Sequence, residues 1–140
     1  MPCLEIVIPE IDQETKKKLS VKLTEAFAAS TKFPADIFGI RFMEYKAGEA
    51  ANGGKVWDGK TGRPYLHFLL YCPRIDRMAK QNVVRSFTKA YTESIENPDW
   101  KPVIHICEHP YDNIGVEGEL LSDTYEECAK SKFYYELPED

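Results

Sequence analysis

Pro9-Glu10-Ile11-Asp12 returns 64 residues later as Pro73-Arg74-Ile75-Asp76. The offset holds without a gap: Lys16 meets Lys80, Thr24 meets Thr88, Ala26 meets Ala90 and Ser30 meets Ser94. Farther on, Pro34 meets Pro98, Ile40 meets Ile104 and Glu44 meets Glu108. Conservative pairs fill the intervals, among them Leu19 with Val83, Leu23 with Phe87 and Phe27 with Tyr91. Self-similarity at one fixed offset means that a single supersecondary unit is written twice.

Each copy has the same local grammar. Residues 3–8 and 65–72 are short apolar runs rich in strand-forming side chains. Each run meets a proline and then an aspartate suited to cap a helix, Asp12 or Asp76. Leu19, Leu23, Ala26, Phe27 and Ser30 then follow the spacing of an amphipathic helix, as do Val83, Val84, Phe87, Ala90 and Tyr91. Pro34 and Pro98 are expected to stop these helices, and residues 38–45 and 103–108 to form the second strands. Each half is therefore a βαβ unit, whose right-handed crossover makes its two strands parallel.

The predicted fold is α+β: one domain over 1–140, with halves at about 2–46 and 65–109 sharing a four-stranded mixed sheet. Both helices lie on one face, and a C-terminal extension runs from about 118 to 140. The second face is expected to carry apolar side chains with no cover of its own, which oligomerisation would supply. Between the halves, Gly48, Gly53, Gly54, Gly59 and Gly62 predict turns and a flexible connection or hairpin. Neither GxxxxGK[ST] nor GxGxxG occurs there, which argues against a phosphate loop. Residues 112–121 read as loop or short strand, and 123–135 as a short helix starting near Asp123 or Thr124.

A net charge of −5 argues against coating nucleic acid, and no apolar run approaches the roughly 18 residues of a membrane span. The opening Met-Pro-Cys-Leu-Glu lacks the basic and apolar regions of a secretory leader, so a cytoplasmic location is expected. Cys3, Cys72, Cys107 and Cys128 form no CxxC pair and are expected to be reduced.

A tandem βαβ chain that begins Met-Pro resembles the tautomerase superfamily at its double-length members, over about residues 2–117. Ser30-Thr31-Lys32-Phe33-Pro34 through Gly53-Gly54, and Asn113-Ile114-Gly115-Val116, are similar to macrophage migration inhibitory factor. The length, and the stretch from His67 to Arg74 running into a helix, look more like the cis-3-chloroacrylic acid dehalogenase group. The resemblance implies a homotrimer with its sheets facing inward, and an active site around each Pro2 completed by a neighbouring subunit. Pro2 pairs with Leu66 at the 64-residue offset, so only the first half keeps an N-terminal amine.

Freed of Met1, Pro2 offers a secondary amine on a rigid ring; a retained methionine would turn it into an amide. An ordinary α-amino group titrates near 7.7–8.0, and an apolar pocket disfavours its charged form. Pro2 is thus the expected catalytic base. Arg74 replaces Glu10 of the first copy at the mouth of a helix, where the macrodipole favours anions rather than cations. A cation there makes sense when it and the free helix N–H groups share a substrate carboxylate. Arg74 also matches a carboxylate-binding arginine of the dehalogenase-like members, and Arg77 is a second candidate. The resemblance further implies substrate-side roles for Lys32, matching a lysine of the cytokine-like branch, for His105 where the dehalogenase-like members carry a tyrosine, and for Glu117, with Glu119 as the alternative, near their water-activating glutamate. Leu66, Phe68 and Leu70, or their equivalents on a partner's face, are expected to wall the proline.

The chain also departs from the dehalogenases. Phe27 stands where they have a first-helix histidine, and Tyr71 falls near the first of their two arginines. His105, Cys107 and His109 share one face of a strand. A flat strand supplies zinc's tetrahedral geometry poorly, so no metal is expected. The resulting expectation is an isomerase that moves a proton in a small 2-keto or enol carboxylic acid and needs no cofactor. Its partners are a small carboxylate substrate and its own copies, with neither nucleic acid nor membrane. The alternatives are a hydratase, dehalogenase or decarboxylase with a cationic proline as acid, or a non-catalytic trimeric binding protein.

Overall fold

The computed structural model describes residues 2–95 and 100–124. Met1, Pro98, Cys128 and the greater part of the helix expected over 123–135 lie outside the described residues. The first half runs β1 (Cys3–Pro9), α1 (Gln13–Ser30) and β2 (Gly39–Tyr45). A small hairpin follows, β3 (Ala51–Asn52) with β4 (Lys55–Val56). The second half runs β5 (His67–Cys72), α2 (Arg77–Ser94) and β6 (Val103–Glu108). A second hairpin, β7 (Gly115–Val116) with β8 (Glu119–Leu120), leads into the short α3 (Leu121–Thr124). No helix among the described residues is long and apolar enough to cross a membrane.

The four long strands form one mixed sheet in the order β2-β1-β5-β6. The outer pairs are parallel, as the βαβ crossovers require, and β1 and β5 meet antiparallel at the centre. Leu4, Ile6 and Ile8 of β1 and Phe68, Leu70 and Cys72 of β5 point to one side. There they bury against Leu19, Leu23 and Phe27 of α1 and Val83, Phe87 and Tyr91 of α2. Val84, expected on the same helical stripe, faces outward with 41% of its surface exposed. One residue along a helix is about 100° of rotation, so Val83 and Val84 cannot both face the sheet.

The identities between the halves have a structural cause. Asp12 accepts a hydrogen bond from the Thr15 N–H at 2.7 Å, and Asp76 one from the Ala79 N–H at 2.8 Å, so each caps its helix. Glu44 accepts from the Ile11 N–H at 2.7 Å and pairs with Lys16. Glu108 repeats the arrangement with the Ile75 N–H at 3.1 Å and Lys80 at 2.6 Å. A glutamate on the second strand thus ties down the turn into the helix in both copies. Burial raises the Glu44 carboxyl pKa, but hydrogen bonds from Lys16 and Ile11 outweigh it and hold that group below its ordinary value.

Further sequence expectations change. α1 ends at Ser30, before Pro34, because the Thr31 hydroxyl and N–H both turn back onto the Phe27 carbonyl, at 2.8 and 3.0 Å. Pro34 instead opens the single 3-10 turn Ala35–Ile37. The second change concerns the uncovered face of the sheet, which is not uniformly apolar. Its rows read Gly39-Cys3-Tyr71-Cys107, then Arg41-Glu5-Leu69-His105, then Met43-Val7-His67-Val103. On the central strands β1 and β5 the helix-facing positions are all apolar, whereas on the outer strands that side also carries Glu44 and Glu108, so the strands alternate as half-buried strands do.

The glycine-rich linker forms the hairpin β3–β4, with positive φ at both Gly53 and Gly54, the twist that a two-residue turn requires. The expected loop or short strand at 112–121 is a 3-10 turn at Tyr111–Asn113 followed by the β7–β8 hairpin. α3, at Leu121–Thr124, begins ahead of the predicted start.

Candidate active site

Pro2 is buried at the head of β1, and its carbonyl accepts a hydrogen bond from the Gly39 N–H at 3.2 Å. Parallel pairing of Cys3 with Gly39 sets Phe38 beside Pro2. Phe38 stacks on the fully buried Phe27 with ring centroids 4.3 Å apart, and Phe27 stacks on Phe33 at 5.8 Å. The apolar wall next to the proline is therefore aromatic and comes from the first half. Leu66, Phe68 and Leu70 lie in the same core cluster as Phe27 and Phe33, with Leu70 paired to Leu4 two residues along from Pro2.

Antiparallel pairing of Cys3 with Tyr71 brings Cys72 opposite Pro2. The chain leaving β5 through Pro73 and Arg74 thus passes the proline before α2 begins. A cavity of about 690 Å³ opens between the end of α1 and the start of α2, and Lys32, Arg74, Arg77 and Lys80 are among its lining residues. Lys80 is held by Glu108, and Asp76 caps α2 at the same place. Three residues singled out separately in the sequence, Lys32, Arg74 and Arg77, therefore share one cationic hollow at a helix N-terminus. Pro2, His105 and Glu117 do not line it.

His105 lies on the uncovered face of β6, where its Nδ1 sits 2.7 Å from Nε2 of His67 on the neighbouring strand. Sequence reasoning missed His67. The available signal was that both histidines fall on outward positions of two strands that must pair. His109 stacks on Tyr71 at 5.7 Å with ring planes 11° apart, away from that pair. Among the described residues, no group of three or more His, Cys, Asp or Glu side chains is placed to hold a metal ion.

Tyr71 stands where the resemblance would put an arginine. Burial, a hydrogen bond to Glu5 and the Glu5 charge raise its phenol above the ordinary value. Burial pushes the Cys72 thiol up to about 12, and burial together with Glu5 raises that of Cys3. Neither is poised as a nucleophile at neutral pH.

Glu117 is exposed in the two-residue turn between β7 and β8, with φ of 53°, followed by Gly118 at 86°. Glu117 is the one non-glycine residue with positive φ among the described residues. Such a conformation costs an ordinary side chain roughly 1–2 kcal/mol.

No family model and no curated protein sequence matches the chain. Solved structures do. The crystal structure of Pt0534 inactivated by 2-oxo-3-pentynoate superposes with a TM-score of 0.74 at 18% identity, covering 87% of this chain and 97% of that one. The Q0 fused 4-OT wild-type symmetric trimer gives 0.76 at 16% identity, covering 88% and 98%. N1, a member of the cis-3-chloroacrylic acid dehalogenase (cis-CaaD) family, gives 0.69 at 17% identity and covers 92% of each chain. The duplicated βαβ unit, the central antiparallel pair and the match over nearly the full length of these structures give the chain the double-length tautomerase fold.

Proposed function

We propose that this chain is a cofactor-independent enzyme of the tautomerase superfamily, an isomerase that moves a proton within a small 2-keto or enol carboxylic acid. Pro2, with its nitrogen free, takes the proton from the enol oxygen and returns it at carbon. Burial beside Phe38 disfavours the ammonium form and leaves the nitrogen unprotonated, and so able to accept a proton, near neutrality. Arg74 grips the substrate carboxylate at the start of α2, with Arg77 and Lys32 on the same hollow. His105 adds a polar contact from the uncovered face. One domain over 1–140 acts as a homotrimer in the cytoplasm, an assembly supported by the fused 4-OT trimer that shares the fold. The use of a 2-oxo acid is supported by the inactivation of Pt0534 by 2-oxo-3-pentynoate. The observation that carries the proposal is the buried Pro2 opposite Cys72, with the chain passing directly into Arg74.

The test is spectrophotometric. Wild-type protein is expected to ketonise phenylenolpyruvate or 2-hydroxymuconate, seen as loss of the enol's ultraviolet absorbance. Arg74→Ala is expected to lower kcat/KM about 10- to 100-fold, the equivalent of the roughly 1.5–3 kcal/mol of a charged hydrogen bond, mainly by raising KM. Unchanged kinetics in Arg74→Ala would remove the clamp from the mechanism.

The backbone of Glu117 favours a second reading, hydration of an unsaturated acid with a cationic proline as general acid. Strain held at one polar residue in an exposed turn is a motive for a role in which that carboxylate activates water. Glu117→Asn creates Asn-Gly, the pair best suited to this turn, and is expected to stabilise the fold by about 1 kcal/mol and raise Tm by a few degrees. Under the hydratase reading the same change abolishes hydration while ketonisation persists. A variant that hydrates as well as wild type counts against it.

A further inference from the structure

The uncovered sheet face presents a second constellation, formed by His67 of β5 and His105 of β6. Leu69 pairs with His105 and His67 with Val103, so the two histidines are diagonal neighbours on the same face. Nε2 of His67 and Nδ1 of His105 stand 2.7 Å apart, with ring planes at 81°. One of these nitrogens carries the shared hydrogen and the other offers its lone pair.

We propose that His67 and His105 form a two-nitrogen chelate for a divalent transition-metal ion of the zinc or copper class. Imidazole nitrogen is a ligand that suits both ions. Zn–N bonds of about 2.0–2.1 Å at a tetrahedral angle need nitrogens about 3.3 Å apart, so the pair opens by only about 0.6 Å. Small rotations of two side chains, one of them on an edge strand, supply that movement. The hydrogen between the rings passes to the other nitrogen of its own ring by exchange with water. Both facing lone pairs are then free, and no net charge is lost. Water fills the remaining coordination positions.

The surroundings keep the pair available to a cation. Burial, followed by the charge of His105, lowers the His67 pKa below its ordinary value. On the same face β1 presents Cys3 and Glu5, β2 presents Arg41, β5 presents Tyr71 and β6 presents Cys107. The Tyr65 ring lies 5.5 Å from His67. The site differs from the His105-Cys107-His109 trio along one strand, because its two donors come from neighbouring strands and converge. It rests on the pairing of β5 with β6 and on the meeting of the two rings, and stands whether or not Pro2 is catalytic.

Calorimetric titration of the full chain with zinc chloride tests the proposal cleanly, since the chain has 3 histidines. Wild type, His109→Asn and Cys107→Ser are expected to bind one zinc ion per chain, and His67→Asn and His105→Asn to lose that binding. Wild-type binding should weaken between about pH 7.5 and about pH 5.5, as protons compete for the ring nitrogens. Circular dichroism melts confirm that each variant is folded, and His67→Gln serves as a second test at that position. The proposal is overturned if wild type takes up no zinc, if the His67 and His105 variants bind as wild type does, or if binding is lost only with His109 or Cys107.

Discussion

Pro2→Ala is expected to lower kcat for ketonisation about 10²- to 10⁴-fold, the range supplied by a positioned general base. Alanine still permits removal of Met1, so the variant keeps a free amine at the same place and isolates the secondary, ring-held character of proline. The loss should fall on kcat more than on KM, because the carboxylate clamp at Arg74 is untouched. Wild-type kcat/KM should rise with pH through a midpoint below that of an ordinary α-amino group, since burial stabilises the neutral amine. A profile that falls with rising pH instead marks the acid role of the hydratase reading. Intact mass is the companion measurement: retention of Met1 in the active protein would acylate the nitrogen and sink the mechanism outright. So would a Pro2→Ala variant that turns over at the wild-type rate.

Phe27→Ala is expected to destabilise the fold by about 3–5 kcal/mol, read as a fall in the urea midpoint at unchanged slope. Phe27 is fully buried and stacks on two rings, Phe38 at 4.3 Å and Phe33 at 5.8 Å. Truncation loses its transfer energy and leaves a cavity that the flat rings on either side cannot close. The position also links stability to chemistry. Phe38 lies beside Pro2, and without its stacking partner it no longer shields the proline from water. A destabilisation below about 1 kcal/mol would show that the aromatic wall is not close-packed, since core truncations of this size ordinarily cost several times more. Phe27→His at the same site buries a polar ring without a partner and should also destabilise, so the dehalogenase histidine cannot simply be restored here.

Much of the architecture was legible because it rests on local signals. Pro9 and Pro73 end strands, Asp12 and Asp76 cap helices, and Leu19, Leu23 and Phe27 mark one helical face, each within a few residues of the element it defines. The pairs Lys16 with Lys80 and Glu44 with Glu108 were visible as repeats before their purpose was. Both glutamates hold the N–H that leads into a helix, together with a lysine of that helix. The misreadings share another origin. Val84 looked like core because residues 83 and 84 are both apolar, and rotation about the helix axis separates them. The uncovered face looked apolar because runs such as Cys-Leu-Glu-Ile-Val-Ile average to apolar, while alternation puts Glu5 outward.

From the order of residues alone came the duplicated unit, its capped helices, the proline at position 2 and the odd arginine at the second helix mouth. Those depend on spacing within one element or on comparing the two copies, and both are local properties of a chain. The fold itself decided that Phe38, stacked on Phe27, stands beside Pro2, that Lys32, Arg74 and Arg77 line one hollow, and that His67 faces His105. Each of these joins residues far apart in the chain. Their meeting is set by strand register and helix packing, where a slip of one residue turns every side chain to the opposite face.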